Sequence, residues 1–439
     1  MIEKVVTRRS FLKKTAGFAA GTIGFPYFVP SAALGKAGAV APSNRITLGF
    51  IGVGSHGTSI NLRTFLGNSD AQALAVCDVD SSHLEQAEKI VNGQYANNKI
   101  SGTYKSCAVY KDFREIIARS DIDAVVISTP DHWHALISVI AARAGKDVFC
   151  EKPTLTVHEG RVVSDTIKRY NRIYQTASEN RSVYVYHRMC ELVRNGRIGK
   201  LRTIRVGLRS GPNRPGDPTP MPVPEYLDYD MWLGPAPWAP YTKDRLHYEW
   251  RWILDYSGGQ LTDWGAHLVN IAQWANDTDH TGPVTVEGKG QFGKAGLYNT
   301  ATKYEIEYEY ANGVKLFISS GTPSIRFEGT DGWIGNHGWT AALQAEPRSI
   351  LDSIIGPNEN HLYTCRGGEQ RNFLDCVKSR KPCYYTAESG HRTFTITHIG
   401  NISMMLGRKL QWNPDNERFI NDDTANRMLS RAMRSPWHL

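Results

Sequence analysis

Residues 45–78 constrain the chain more than any other stretch. An apolar run, RITLGFI, meets a glycine turn, GVGSHG (52–57). A helical stretch follows, and a second apolar run, AQALAVCDVD, ends in acid. A buried strand that enters a helix through a tight glycine turn and returns as a second buried strand is the start of a βαβ unit. It commits the region to a parallel sheet covered by helices.

The alternation continues. SSHLEQAEKIVN predicts a helix with Ser81 or Ser82 as its cap, YKDFREIIARSD another helix and DAVVIST a third buried strand. HALISVIAARAG, KDVFC, VHEGRVVSDTIKRYN and RIYQTAS extend the pattern to about Ser178. The expectation is an α/β chain whose N-terminal domain, 42–178, is a doubly wound parallel Rossmann sheet. From 179 to 439 the character changes. KLRTIRVGLR, PVTVEGKGQFG, YEIEYEYANGVKLFISSG and EGTDGWIGN alternate as strands with one covered and one free face, and YANGVK carries a hairpin signal. This predicts a C-terminal α+β domain built on a large sheet. Gly332-Trp333 reads as a turn with a packed Trp. The Pro-rich stretch GPNRPGDPTPMPVPEYLDYDMWLGPAPWAPY reads as a long ordered loop, because its aromatics do not suit a free linker.

Chemistry concentrates where the predicted strands end. Gly52, Gly54 and Gly57, with Ser55 and His56 between them, have the spacing that lets a pyrophosphate approach a helix N-terminus. Asp78, 21 residues after Gly57, would accept hydrogen bonds from an adenosine ribose. Its charge would repel a 2′-phosphate, so NAD is expected rather than NADP. STPDHWH (128–134) and CEKP (150–153) end the next two strands on the same edge, making Asp131, Trp133, His134, Glu151 and Lys152 further candidates to line the cofactor. His132 and His134 stand two apart at a strand–helix junction with no nearby Cys or carboxylate cluster, so no metal is expected.

GFIGVGSHG, VCDVD, STPDHWHA, CEKP and, far downstream, GGQLTDWGAHLVNIAQWA together resemble the Gfo/Idh/MocA oxidoreductases over the body from Arg45 to Leu439. The resemblance implies a mostly antiparallel open second sheet, a homo-oligomer, and a sugar, cyclitol or related polyhydroxy substrate. It places Lys152 at the reacting hydroxyl, with Asp263 and His267 opposite and His267 as the proton shuttle. Burial beside a nicotinamide cation would push the lysine pKa down. D-W-G-A-H sets Asp263 and His267 four apart, on one helix face or, because Gly265 weakens the helix, across a helix entry. Exported relatives of glycosidase type imply that Asn180 touches the cofactor. Arg181 beside it, and Tyr248, Arg251 and Trp252 in the aromatic, basic stretch 241–252, are candidate substrate contacts. That stretch reads equally as inter-domain packing.

The chain begins MIEKVVTRRSFLKK, with Arg8, Arg9, Phe11, Leu12 and Lys13 in the order of a twin-arginine export signal. A Gly-, Ala- and Pro-rich run follows, too weakly apolar for a membrane span, and residues 1–41 read as a cleaved leader. Of the net charge of +8, a surplus of five lies in that leader, and no basic run marks a nucleic-acid surface. Seven scattered cysteines without a C-x-x-C pair suggest neither a zinc site nor a disulfide framework. Export through the twin-arginine machinery delivers folded cargo to the periplasm, where no nicotinamide pool exists. A tightly bound, internally recycled NAD is therefore expected. A glycosidase that uses NAD transiently is the second reading. A non-catalytic sensor is the third, and it would have no use for Lys152 and His267.

Overall fold

The computed structural model describes residues 44–96, 106–293 and 295–439; the expected leader at 1–41 lies outside them. The first sheet contains β1 (Ile46–Ile51), β2 (Ala71–Cys77), β3 (Ala108–Tyr110), β4 (Ala124–Ile127), β5 (Asp147–Cys150) and β6 (Tyr174–Thr176). All pairings are parallel, in the order β3-β2-β1-β4-β5-β6. β4 and β5 are buried at every position, as central parallel strands covered on both faces must be. Register does the functional work here. Ile51 lies opposite both Cys77 and Ile127, and Ile127 opposite Cys150, so these strands end level. Gly52, Asp78, Ser128 and Glu151 therefore emerge side by side at the crevice where strand order reverses between β1 and β4.

Between these strands lie α1 (Ser81–Ala96) and α2 (Asp131–Arg143). The cap of α1 is Asp80 rather than either serine. Its Oδ1 accepts from the Ser82 and His83 amides, which a carboxylate at the strand exit reaches before the following hydroxyls can.

The second sheet has nine strands: β7 (Leu201–Leu208), β8 (Pro283–Phe292), β9 (Ala301–Tyr310), β10 (Lys315–Ser320), β11 (Ser324–Gly329), β12 (Trp333–Asn336), β13 (Gln344–Glu346), β14 (Leu410–Asn413) and β15 (Arg418–Phe419). The sheet is antiparallel except where β7 runs parallel to β10. Period-two burial is plain in β9, where Tyr304, Ile306, Tyr308 and Tyr310 point inward and Glu305, Glu307 and Glu309 outward. Helices α3 (Tyr184–Arg194) and α4 (Gly265–Ala275), and after α5 (Gly368–Ser379) the long α6 (Ala387–Leu406), cover the inner face. The Asn-Gly signal forms the β9–β10 hairpin, with Gly313 at φ 81°. Trp333 follows a turn and carries Arg326 over its ring at 3.9 Å.

The first core is completed from far downstream. Phe373 of α5 packs edge-on against Phe65 and Phe149, with ring centroids 6.2 and 5.7 Å away. Arg371 and Arg380 pair with Asp70 and Asp147 of the first domain.

Candidate active site

The glycine turn has the shape its sequence suggests. Gly52 has φ 83°, and a Cβ there would lie 2.7 Å from the Ser128 carbonyl. A Cβ at Gly57 would lie 2.2 Å from the Gly52 oxygen, so only glycine allows the turn to close against β4. The helical segment Gly57–Leu62 opens as a π-helix and continues in α-form over Arg63–Leu66. Asp78 stands at the exit of β2, accepting from the Val53 amide at 2.8 Å and the Asp80 amide at 3.0 Å. A cavity of about 1090 Å³ is lined by this turn, Asp78, the loops after β4 and β5, and residues of the second domain. It exceeds the roughly 300–1,000 Å³ of ordinary small-molecule pockets. A glycine cradle on a helix N-terminus with a carboxylate at the next strand end fits a dinucleotide.

Beside the cradle, His56 Nε2 lies 2.9 Å from Glu151 Oε1, which also accepts from Asn61 at 2.8 Å. Burial would raise the Glu151 pKa, but the charges of His56 and Lys152 lower it to about 2. The Glu151 charge in turn raises that of His56. Ser55 lines the same wall.

Deeper in, Lys152 Nζ sits 2.5 Å from Asp263 Oδ1 and 3.1 Å from the Asp263 carbonyl. Arg251 Nε approaches the other carboxylate oxygen at 3.5 Å. Burial alone would lower the lysine pKa, but the charges of Asp263 and Glu151 overcome it and hold the ammonium above its usual range. The lowered lysine pKa expected from the sequence is thus not that of the protein itself, because a carboxylate lies in direct contact. Burial would raise Asp263, yet Lys152 and Arg251 hold it well below the ordinary carboxylate range.

His267 behaves oppositely. Burial first, and then the Lys152 charge, lower its pKa to about 4, so the ring is neutral at neutral pH. Its Nδ1 lies 3.0 Å from Ser178 Oγ, with Glu179 Oε2 at 3.6 Å, while Nε2 has no protein partner among the described residues. The helix carrying the pair breaks after Asp263 and resumes at Gly265. A Cβ at Gly265 would lie 2.6 Å from Thr397, so this glycine serves close packing against α6 at a helix entry.

Asp131, Trp133 and His134 line the cavity, but with little free polarity. The Trp133 indole N–H donates to the Trp232 carbonyl at 3.1 Å. The two ring nitrogens of His134 lie 2.7 Å from the carbonyls of Pro153 and Thr129, tying two site loops together. Asp131 is buried, and burial followed by the Asp263 charge raises its pKa well above the usual range, favouring a neutral carboxyl on the cavity wall.

Three candidates fall elsewhere. Asn180 is fully buried behind the wall, not on it. Arg181 is sealed in the second domain. It forms a two-pronged pair with Asp279, donates to Asn270, and lies between the rings of Trp274 and Tyr385. Trp252 is buried in an aromatic cluster and donates to Glu249. Both side chains are buried and neither lines the cavity, so neither reaches a substrate there. Tyr248 and Arg251 do reach the cavity, with the guanidinium 4.7 Å above the tyrosine ring.

Four groups of lining residues were not singled out individually from the sequence, although Leu246 and His247 lie within the candidate stretch 241–252. Trp339 packs against His267 and Trp264, with centroids 5.3 and 4.9 Å away. Glu369, raised well above its usual pKa by burial and then the Glu179 charge, stands with Gln370. Leu227 and Leu246 arrive from the Pro-rich segment and the stretch after it. Asp80, His83 and His247 place one oxygen and two nitrogens within 4.8 Å of one another. Only Glu369-Gln370, an acid–amide pair at a helix start, left a local signal.

Two family models match the chain: an oxidoreductase family's NAD-binding Rossmann fold over residues 46–178, and an oxidoreductase family's C-terminal alpha/beta domain over 215–439. Among curated relatives, a glycosyl hydrolase family 109 protein of Shewanella baltica is 33% identical over 183 residues. An alpha-N-acetylgalactosaminidase of Shewanella oneidensis is 32% identical over 183 residues. Each match spans 37% of this chain and only 37% of the relative. Among solved structures, the aldose-aldose oxidoreductase of Caulobacter crescentus complexed with glycerol has a TM-score of 0.64 at 18% identity, covering 84% of this chain and 99% of that one. The WlbA dehydrogenase of Bordetella pertussis, in complex with NADH and UDP-GlcNAcA, has a TM-score of 0.62 at 15% identity, with the same coverage.

Proposed function

The chain belongs to the Gfo/Idh/MocA oxidoreductase family, and we propose that it oxidises and reduces a sugar, cyclitol or sugar derivative with an NAD that stays bound between turnovers. The observation that carries this reading is the pairing of a held ammonium, Lys152, with a neutral imidazole, His267, in the cavity that also holds the glycine turn.

When bound, NAD supplies the hydride acceptor and returns the hydride in the reverse direction. Gly52, Gly54 and Gly57 would hold its pyrophosphate and Asp78 its adenosine ribose. Lys152 hydrogen-bonds the reacting hydroxyl and stabilises the negative charge that grows on its oxygen. Asp263 fixes the ammonium in place. In the tautomer that directs Nδ1–H at Ser178, His267 presents a lone pair on Nε2 and takes the hydroxyl proton. Tyr248 and Arg251 offer an aromatic face and hydrogen-bond donors to a polyhydroxy ring. The same reading has the chain exported on TRRSFLKK with its cofactor already seated, and associating with further copies of itself.

The glycosyl hydrolase relatives support a second reading. Transient oxidation of a sugar carbon acidifies the neighbouring C–H, so elimination and water addition replace direct displacement, and no pair of carboxylates need flank the bond. One experiment separates the two. Purified protein, with no added nucleotide, is offered simple sugars and p-nitrophenyl glycosides. Accumulation of reduced nucleotide near 340 nm supports the oxidoreductase. Nitrophenol release that is lost in Lys152→Ala supports the glycosidase. Protein that carries no nucleotide after purification refutes retention in either form.

A further inference from the structure

The Pro-rich segment and the stretch after it do not stay in their own domain. Leu227 forms an antiparallel bridge with Asp80, just beyond the β2 end that carries Asp78. The Ser81 amide donates to the Tyr226 carbonyl at 2.9 Å, and the Asp228 amide to the Val79 carbonyl at 2.9 Å. The Ser81 hydroxyl adds a third bond to Tyr226, at 3.1 Å. Val79 is packed into the cluster of Leu227, Trp232, Leu246 and Tyr256. Opposite this bridge, His247 brings its ring edge-on to His83, with centroids 5.5 Å apart. His83 itself is beside the glycine turn and 3.5 Å from Asp78. Leu227, Leu246, His83 and His247 all line the cavity.

The far side of the segment is anchored too. The Trp232 carbonyl faces His132 Nε2 at 3.0 Å and accepts from Trp133. Arg434 donates to the carbonyls of Asp230 and Gly234.

We propose that the segments around Leu227 and His247 are a clamp of the second domain that closes over the adenosine end of a dinucleotide and sets its rate of release. This rests on the reading that the cavity holds NAD. In an open crevice, the adenosine half leaves by breaking only its own contacts. Here Asp78 is roofed by chain pinned to the first domain through backbone hydrogen bonds, so departure requires that bridge to open. Leu227 and Leu246 supply apolar walls for the adenine plane, and His83 and His247 flank the ribose carboxylate. The clamp gives a physical basis for retention that the glycine turn, shared with freely exchanging enzymes, does not provide.

The test follows nucleotide exchange directly. Full-length protein is loaded with NAD, diluted into labelled NAD, and the bound label is read over time by mass spectrometry. Two variants are compared: His247→Gly, which suits the positive φ of 53° at that position, and Leu227→Ala. Loss of contacts in a bound complex falls mainly on dissociation, so each variant is expected to exchange about tenfold faster or more. The second variant guards against misfolding in the first. Exchange unchanged in both folded variants overturns the clamp. Exchange accelerated in wild type by a chelator also overturns it, because Asp80, His83 and His247 would then act through a metal. If the protein purifies without nucleotide, retention fails as a reading, yet the ratio of variant to wild-type exchange after loading still decides the clamp.

Discussion

Replacing Asp263 with Asn keeps the side-chain shape and removes the charge that holds Lys152. The pair lies at 2.5 Å, with the two side chains 11% and 15% exposed. Breaking a buried ion pair by removing one partner costs about 3–5 kcal/mol, because the other charge is left uncompensated. This pair faces a cavity, and Glu151 still stands beside the lysine, so the expected loss falls at or just below the bottom of that range, about 2–3 kcal/mol. The double variant Lys152→Met/Asp263→Asn removes both charges and should recover much of the loss, giving a coupling of about 1–3 kcal/mol in the cycle. Equilibrium denaturation of nucleotide-free protein measures all four corners without a ligand contribution. pH supplies an independent arm. The folded Lys152 pKa is raised, so its stabilisation is fully present below the unfolded lysine value of about 10.4 and disappears as pH rises through the folded value. In Asp263→Asn burial acts with less opposition and the lysine pKa falls, which competitive labelling of Lys152 with acetic anhydride across alkaline pH will report. Singles that simply add, or a single-variant cost below about 0.5 kcal/mol as at an exposed pair, would refute the assignment.

With a His267 pKa of about 4, the acid limb of turnover should fall near 4 rather than near the ordinary histidine value of about 6.5. His267→Asn should lower turnover by about 10²–10⁴ and remove that limb, as pH–rate profiles would record. Arg181→Met leaves Asp279 unpaired in the second domain and should cost about 3–5 kcal/mol by denaturation. A shifted sugar KM with unchanged stability would return Arg181 to the substrate list.

The dinucleotide cradle was legible because its requirements are consecutive. Gly52, Gly57 and Asp78 are fixed by spacing within one βαβ unit, and parallel register carries the later strand ends to the same edge. Lys152, Asp263 and His267 were legible only through resemblance, since nothing local says that residues 111 apart will touch. Arg181 and Trp252 misled because arginines and aromatics look alike in sequence whether they wall a sugar site or fill a core. Burial by partners such as Asp279, nearly a hundred positions away, decided the matter. His83 and His247 meet only where one domain closes on the other, and Trp339 reaches His267 from a distant part of the second domain; neither contact leaves a periodic trace. The lysine pKa failed for a related reason: a contacting carboxylate outweighs the burial that the sequence suggested.

Phe373 has a consequence in time. By the moment Thr176 leaves the ribosome, all six strands of the first sheet exist, but the ring that packs against Phe65 and Phe149 is still unmade. At about 5–20 residues per second, the roughly 200 intervening residues take about 10–40 s. During that interval the sheet lacks the downstream part of its core, and Lys152 lacks Asp263 for nearly half of it. The nucleotide's full site is therefore a product of finished synthesis, and a nascent chain stalled near residue 178 should emerge without it.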